Sequence, residues 1–243
     1  MQHLLRYKIT FAILGILLCP LLSMSQLRDG INRPDWDEKP FHFGINLGIN
    51  RSHFSFGHHP LFLQRDSVMV VESVNSTGIN LAWLVDKRLS DHFSLRTFPL
   101  DLTFTEKAFE YNLKYPDRPL GEDSVTLKKV QSISLTLPIQ IKFSSDRIGN
   151  FRVYMMSGVK AEYDMAANAG AKKADNLIKL NRLDYGIEAG LGFHFYFPYF
   201  VFTPELKIGW GLANLHDRDP NLKFSNVIDK INSRTITFSL TVE

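Results

Sequence analysis

A side-chain period of two runs through this sequence from residue 41 to its end, and it constrains the fold more than any other feature. Phe41, Phe43, Ile45, Leu47 and Ile49 alternate with His42, Gly44, Asn46, Gly48 and Asn50. Successive strand side chains point to opposite faces, so this segment has one apolar face and one small or polar face. The texture returns over residues 79–86, 92–103, 132–143, 151–164, 183–197, 200–212 and 235–242, giving eight strands. The longest case sets Leu183, Tyr185, Ile187, Ala189, Leu191, Phe193, Phe195 and Phe197 against Arg182, Asp184, Gly186, Glu188, Gly190, Gly192 and His194. Residues 92–103 are less regular: Phe93 and Leu95 fall on one face, and Phe98, Leu100 and Leu102 on the other. That break predicts a bulge or face switch near Pro99.

The connections discriminate further. They alternate long and short, over about residues 51–77, 87–91, 104–130, 144–150, 165–181, 198–199 and 214–233. Loops beyond ~12–15 residues are uncommon in compact soluble domains. Strict alternation of tight turns and long loops is the pattern of an up-and-down outer-membrane barrel. The expected fold is therefore all-β: an eight-stranded antiparallel up-and-down outer-membrane β-barrel over residues 41–243. Its termini and short turns would be periplasmic and its long loops extracellular.

A soluble barrel turns its apolar face inward, and a membrane barrel inverts this. Here the polar face carries repeated glycines together with Arg152, Lys160, Glu162, Arg182, Asp184, Glu188, Glu205 and Lys207. Inside a narrow barrel these eight would form a mutually neutralising lumen network, with the glycines relieving crowding at the curved wall. The apolar face is aromatic near the strand ends, where Phe193, Phe195, Phe197, Phe200, Phe202 and Trp210 are expected to face lipid as interfacial girdles.

The first 25 residues read as a signal peptide. Arg6 and Lys8 precede an apolar run over residues 9–22, and Ser23, Met24 and Ser25 place small residues for cleavage between Ser25 and Gln26. The run contains Pro20 and is short for a spanning helix. Cys19 follows Leu18 rather than a small residue, which argues against lipidation. Cleavage leaves 218 residues with 26 basic and 25 acidic groups and no cysteine. Thiol catalysis, thiolate metal sites and disulfides are thereby excluded. Near-neutral charge gives no footprint for nucleic acid. Residues 26–40, with Pro34, Pro40 and the cluster Asp35-Trp36-Asp37-Glu38, read as a periplasmic tail.

Few constellations suggest chemistry. His53, His58 and His59 lie in the first long connection without a recognised ligand spacing. Glu188 and His194 share the expected lumen face, as do Ser132 and Ser134 elsewhere, so a lipid hydrolase triad is conceivable. Arg147, Arg152, Lys172 and Lys173 are scattered basic groups. No glycine-rich phosphate loop opens a helix. The expectation is a non-enzymatic barrel without cofactor or metal, and one too narrow for an open channel.

Several segments together resemble the PorT (SprT) family: FHFGINLGIN, SLRTFPLDLTF, LPIQIKFSSDRIGNFRVYMMSGVKAEYDMA, DYGIEAGLGFHFYFPYFVFTPELKIGWGLAN and VIDKINSRTITFSL. Their order, and the Tyr-Phe-Pro-Tyr-Phe turn at 196–200 followed by PELKIGWGLAN, are the most specific marks. The resemblance covers most of residues 41–243. It implies an outer-membrane component of the type IX secretion system, which exports sorting-domain cargo and serves gliding motility. It implies outer-membrane lipid and other type IX secretion subunits as partners, and it carries over no catalytic residue. The alternatives are an OmpX-like structural or adhesive surface barrel and a lipid-modifying enzyme.

Overall fold

The alternating segments pair edge to edge until the sheet meets itself. A computed structural model describes residues 30–58, 68–114, 123–167, 180–217 and 228–243. The chain divides into Met1–Asn32 and the unit Arg33–Glu243, which holds the barrel. The proposed cleavage site at Ser25 and Gln26 lies outside the described residues. The strands are β1 (Phe41–His58), β2 (Val68–Val74), β3 (Ser76–Arg88), β4 (Phe93–Leu113), β5 (Val125–Ser144), β6 (Phe151–Asp164), β7 (Leu183–Tyr196), β8 (Val201–Gly211) and β9 (Ile228–Val242). Asn75 alone separates β2 from β3, and both pair with β4, so together they act as one barrel strand. Every pairing is antiparallel between sequence neighbours, and β1 with β9 closes the ring. The result is a closed eight-stranded up-and-down barrel.

Burial follows the period of two, with the polarity of a soluble barrel reversed. Ile45, Leu47, Ile49, Leu81, Trp83, Ile139, Ile141, Leu191 and Leu206 are exposed, whereas Asn46, Asn80, Arg96, Gln140, Glu205 and Thr241 are buried. The outward apolar band runs from Phe41 to Ile49 on β1 and from Ile133 to Phe143 on β5. At about 3.4 Å per residue and a tilt near 40° this is roughly 20–25 Å of height, the span of an outer-membrane hydrocarbon layer.

The irregular third segment contains the bulge expected near Pro99. Trp83 faces Leu100 and Val85 faces Thr97, so Phe98 and Pro99 share one opposing residue, and the β5 register shifts at the same place. The distribution of faces differs from the expectation in one respect. Only Phe98 turns inward, where it packs with Leu84 and Ala82, while Leu100 stays outward with Phe93 and Leu95. Phe98 keeps the inward parity of Ser94 and Arg96, and the added residue then switches parity so that Leu100 and Phe104 point outward.

β1, β2, β4, β5 and β9 run well past the band, so three of the four long connections are shorter than the sequence suggested. β6 and β7 end as expected and leave the connection between them at its expected length. Above the band the alternation persists with inverted polarity. Phe54, Val71, Phe109, Tyr111, Leu113, Ile228 and Ile231 face inward and join Leu180 and Leu215 in one apolar cluster. Outside the membrane the wall has water on its outer face, so this part of the barrel is built as a soluble one would be.

Candidate functional site

The lumen is where the barrel concentrates its chemistry, and it is organised around Arg96 of β4. Arg96 is fully buried. Its Nε donates to Asp86 Oδ2 at 3.3 Å, and its Nη1 donates to Glu205 Oε2 at 2.6 Å and to the Tyr154 hydroxyl at 3.3 Å. Tyr154 in turn donates to Glu205 Oε2 at 2.5 Å. Lys142 pairs with Asp86, and Lys207 Nζ lies 3.4 Å from Glu205 Oε1. Arg96 and Lys142 both approach the Tyr154 ring, at 5.0 and 5.2 Å, and Lys207 sits 4.5 Å from the Phe98 ring centre. Three cations thus share two carboxylates, with Glu188 close by accepting from Gln140 Nε2 at 2.5 Å. Charges taken from water are tolerable only when paired in this way.

Small residues opposite large ones make room for this layer. A Cβ at Gly192 would run into the Tyr154 ring, because that ring lies over the glycine backbone of the neighbouring strand. Above Arg96 the inner face becomes lighter. Lys160 pairs with Glu162 at 3.0 Å, Asn46 Nδ2 donates to Thr241 Oγ1 at 2.7 Å, and Ser233 donates to Asp184 Oδ2 at 2.5 Å.

The eight lumen residues singled out from sequence do not form one lattice. Glu205 pairs with Lys207, and Lys160 with Glu162, because alternate residues of one strand share the inner face. Asp184 and Glu188 are buried with neutral partners. Arg152 belongs instead to the turn end of the barrel, where its Nη1 donates to Asp37 Oδ1 at 2.9 Å. Arg182 precedes β7 at the loop-side rim and is exposed, because the strand starts one residue after it. The residues that organise the layer, Arg96, Asp86, Lys142 and Tyr154, were not singled out. Arg96 lies in the segment whose parity is broken by the bulge, and its signal was a charge flanked by Leu95 and Thr97.

Of the aromatic set, Phe193, Phe195 and Phe200 are exposed on the outer wall. Phe197, Phe202 and Trp210 are half-buried. Phe151 packs against Phe193 and Phe195 with ring centres 5.9 and 5.2 Å apart, and Phe197 stacks on Phe200 across the turn at 4.9 Å.

Packed side chains narrow the lumen at both ends. The described part of the expected tail is ordered against the turn end as a short 3-10 helix, Pro34–Glu38. Trp36 is buried there with Tyr196 and Val201 and lies 4.3 Å from the His42 ring. Asp37 accepts from Arg152, from Arg147 Nη1 at 3.3 Å and from the Tyr196 hydroxyl at 3.3 Å. At the loop end the apolar cluster around Phe109 fills the bore. Two polar cavities of about 40 and about 50 Å³ remain. The first opens at the turn-end rim beside Trp36, lined by His42, Ser90, Asp91, Lys142 and His194, and the second lies in the lumen, lined by Asp101, Lys160 and Glu188. Spaces of that size suit a few waters.

The conceivable hydrolase set is dispersed. His194 Nδ1 is 2.8 Å from Thr203 Oγ1, its Nε2 is 3.5 Å from Lys142 Nζ, and its ring packs on Tyr154. Glu188 is engaged by Gln140 and lines the other cavity, together with Ser134. Among the described residues His53 lies half-buried on β1, while the side chain of His58 and all of His59 lie outside them.

Eight closed strands, an outward apolar band and a charged, filled interior define an outer-membrane β-barrel. The model of the outer membrane protein beta-barrel domain family matches residues 24–217, and the chain belongs to that family. No curated protein gives a significant match. Among solved structures the chain is similar to Neisserial surface protein A, with 9% identity and a TM-score of 0.43 over 84% of this chain and 99% of that one. It is similar to the outer membrane protein OprG from Pseudomonas aeruginosa, with 10% identity and a TM-score of 0.45 over 89% and 96% of the two chains. A third likeness is to the outer membrane protein AlkL in lipid bilayers, at 12% identity and a TM-score of 0.40 over 88% and 90%.

Proposed function

We propose that this barrel is a non-enzymatic partner or assembly factor of the type IX secretion translocon, required for export of sorting-domain cargo. The observation that carries this reading is the filled lumen: a barrel plugged by Trp36 at one end and by the Phe109 cluster at the other acts through its wall and rims rather than as a conduit. The ordered series of segments resembling the PorT (SprT) family, ending in PELKIGWGLAN and VIDKINSRTITFSL, supplies the system in which it acts. In this reading the termini and the Trp36 helix face the periplasm, the extended strand ends face outward, and other secretion subunits contact the barrel from outside.

An OmpX-like surface barrel is the second reading. What favours it is the continuation of β1, β4, β5 and β9 beyond the apolar band, which raises a wall clear of the membrane surface. Deleting the gene and comparing the secretomes separates the two. The secretion reading expects sorting-domain cargo to accumulate inside the deletion strain and to be exported again on complementation. Unchanged export with altered surface binding would reject it in favour of the surface barrel.

A further inference from the structure

The outer wall carries a cluster of basic groups immediately above the apolar band, on the seam where β1 meets β9. Ile49 is the last apolar outward residue of β1, and Arg51 and His53 follow it on the same face. On β9 the outward apolar series ends at Ile236, followed by Arg234, Asn232 and Lys230. His53 is the direct cross-strand partner of Arg234, and Arg51 that of Ile236, so the two guanidinium groups start one diagonal apart. Trp210 of β8 is the cross-strand partner of Arg234 on its other side. Arg51 and Arg234 are exposed, and among the described residues neither has an ion-pair partner. This contrasts with the lumen, where cations are matched by carboxylates.

Height identifies what such a cluster meets. Arg51 and His53 are two and four residues past the end of the band, about 5 and about 10 Å above the hydrocarbon edge at a tilt near 40°. The polar layer of each leaflet is roughly 5–8 Å deep, so Arg51 starts within it, and Arg234, level with His53, reaches down into it with its long side chain. Trp210 at the same rim is the residue type that anchors at this boundary. Guanidinium groups bind phosphate oxygens in bidentate fashion, and a cluster of them left without carboxylates is complementary to a polyanionic headgroup.

We infer that Arg51 and Arg234, with Trp210 beside them, form a binding site for the phosphates of an anionic lipid headgroup in the leaflet at the loop end of the barrel. The acyl chains of that lipid would lie along the β1–β9 seam over Ile49, Ile236 and Phe238. This goes beyond the secretion reading and does not depend on it. If export proves independent of the gene, the site still stands or falls on lipid binding.

The test folds the full chain into phosphatidylcholine nanodiscs doped with bisphosphorylated lipid A, or with the same lipid after dephosphorylation. Lipid retained by the protein on detergent extraction is counted by native mass spectrometry. The wild-type chain should retain the phosphorylated lipid and not the dephosphorylated one. R51Q/R234Q should retain on the order of 20-fold less, at about fivefold for each charge lost, while R51K/R234K should stay within a few-fold of wild type. Folding is checked by heat-modifiable gel migration. If R51Q/R234Q does not fold, the single change Arg51→Gln should still lower retention about fivefold. Equal retention by the glutamine variants, equal retention of the dephosphorylated lipid, or displacement by millimolar pyrophosphate as effective as by lipid A would each overturn the proposal, the last by making this a site for free phosphate.

Discussion

Arg96 holds its position because three acceptors converge on it from three other strands: Asp86 on β3, Tyr154 on β6 and Glu205 on β8. Replacing it by methionine keeps the volume but leaves Asp86 and Glu205 with only Lys142 and Lys207 as counter-charges. Breaking a buried pair from one side typically costs about 3–5 kcal/mol. Arg96→Met should therefore lower stability by about that amount, read by urea unfolding of the refolded barrel in lipid. The double change Arg96→Met with Glu205→Gln should recover part of the loss, whereas purely additive losses would show that the pair is not coupled. Gly192 is limited in a different way. Gly192→Ala places a methyl where the Tyr154 ring lies, and overpacking of this kind costs about 1–3 kcal/mol. Combining it with Tyr154→Phe should not relieve the clash, because the ring remains, but combining it with Tyr154→Ser should.

Among the elements, the Pro34–Glu38 helix and its contacts form a plug tied to the barrel by charge and by one indole. Arg33 lies 4.1 Å from the Trp36 ring centre and donates through Nη1 to the Glu243 backbone oxygen at 3.3 Å, and Asp37 joins the turn before β6 to the end of β7. Trp36→Ala with Asp37→Asn should release this segment. Protease cleavage near residue 34 would then accelerate at least tenfold while the barrel keeps its heat-modifiable migration. Unchanged cleavage would show that the contacts do not hold the segment. The plug was poorly legible beforehand, since a polar stretch with two prolines reads as a tail. Its signal was a tryptophan between aspartates, facing a turn that carries Arg147 and a strand that begins near Arg152. The strands themselves were legible because all but the third segment alternate for at least four pairs, and the Pro99 bulge announced itself by breaking that alternation in the third. Strand length was not. Beyond Thr103 the alternation continues as Phe109, Tyr111 and Leu113 against Glu106 and Glu110, but the side that wants water has changed. A rule expecting apolar residues outward therefore stops at the membrane edge.

For the whole molecule, the lumen pairing depended on which strands lie opposite across the bore. Period and composition do not carry that information. Glu205 and Lys207 could be paired from one strand, but Arg96 with Glu205 requires a closed ring. The same closure makes the interior solid. The Trp36 plug, the Arg96 layer and the Phe109 cluster lie one above another, so removing the plug alone leaves two barriers in place. The most direct measurement of this arrangement is the conductance of the refolded full chain in a planar bilayer, for wild type and for Trp36→Ala with Asp37→Asn. The account predicts no sustained stepwise conductance from either. Steady, porin-like open levels from the wild-type barrel would contradict a filled lumen, and with it the claim that this protein acts through its wall.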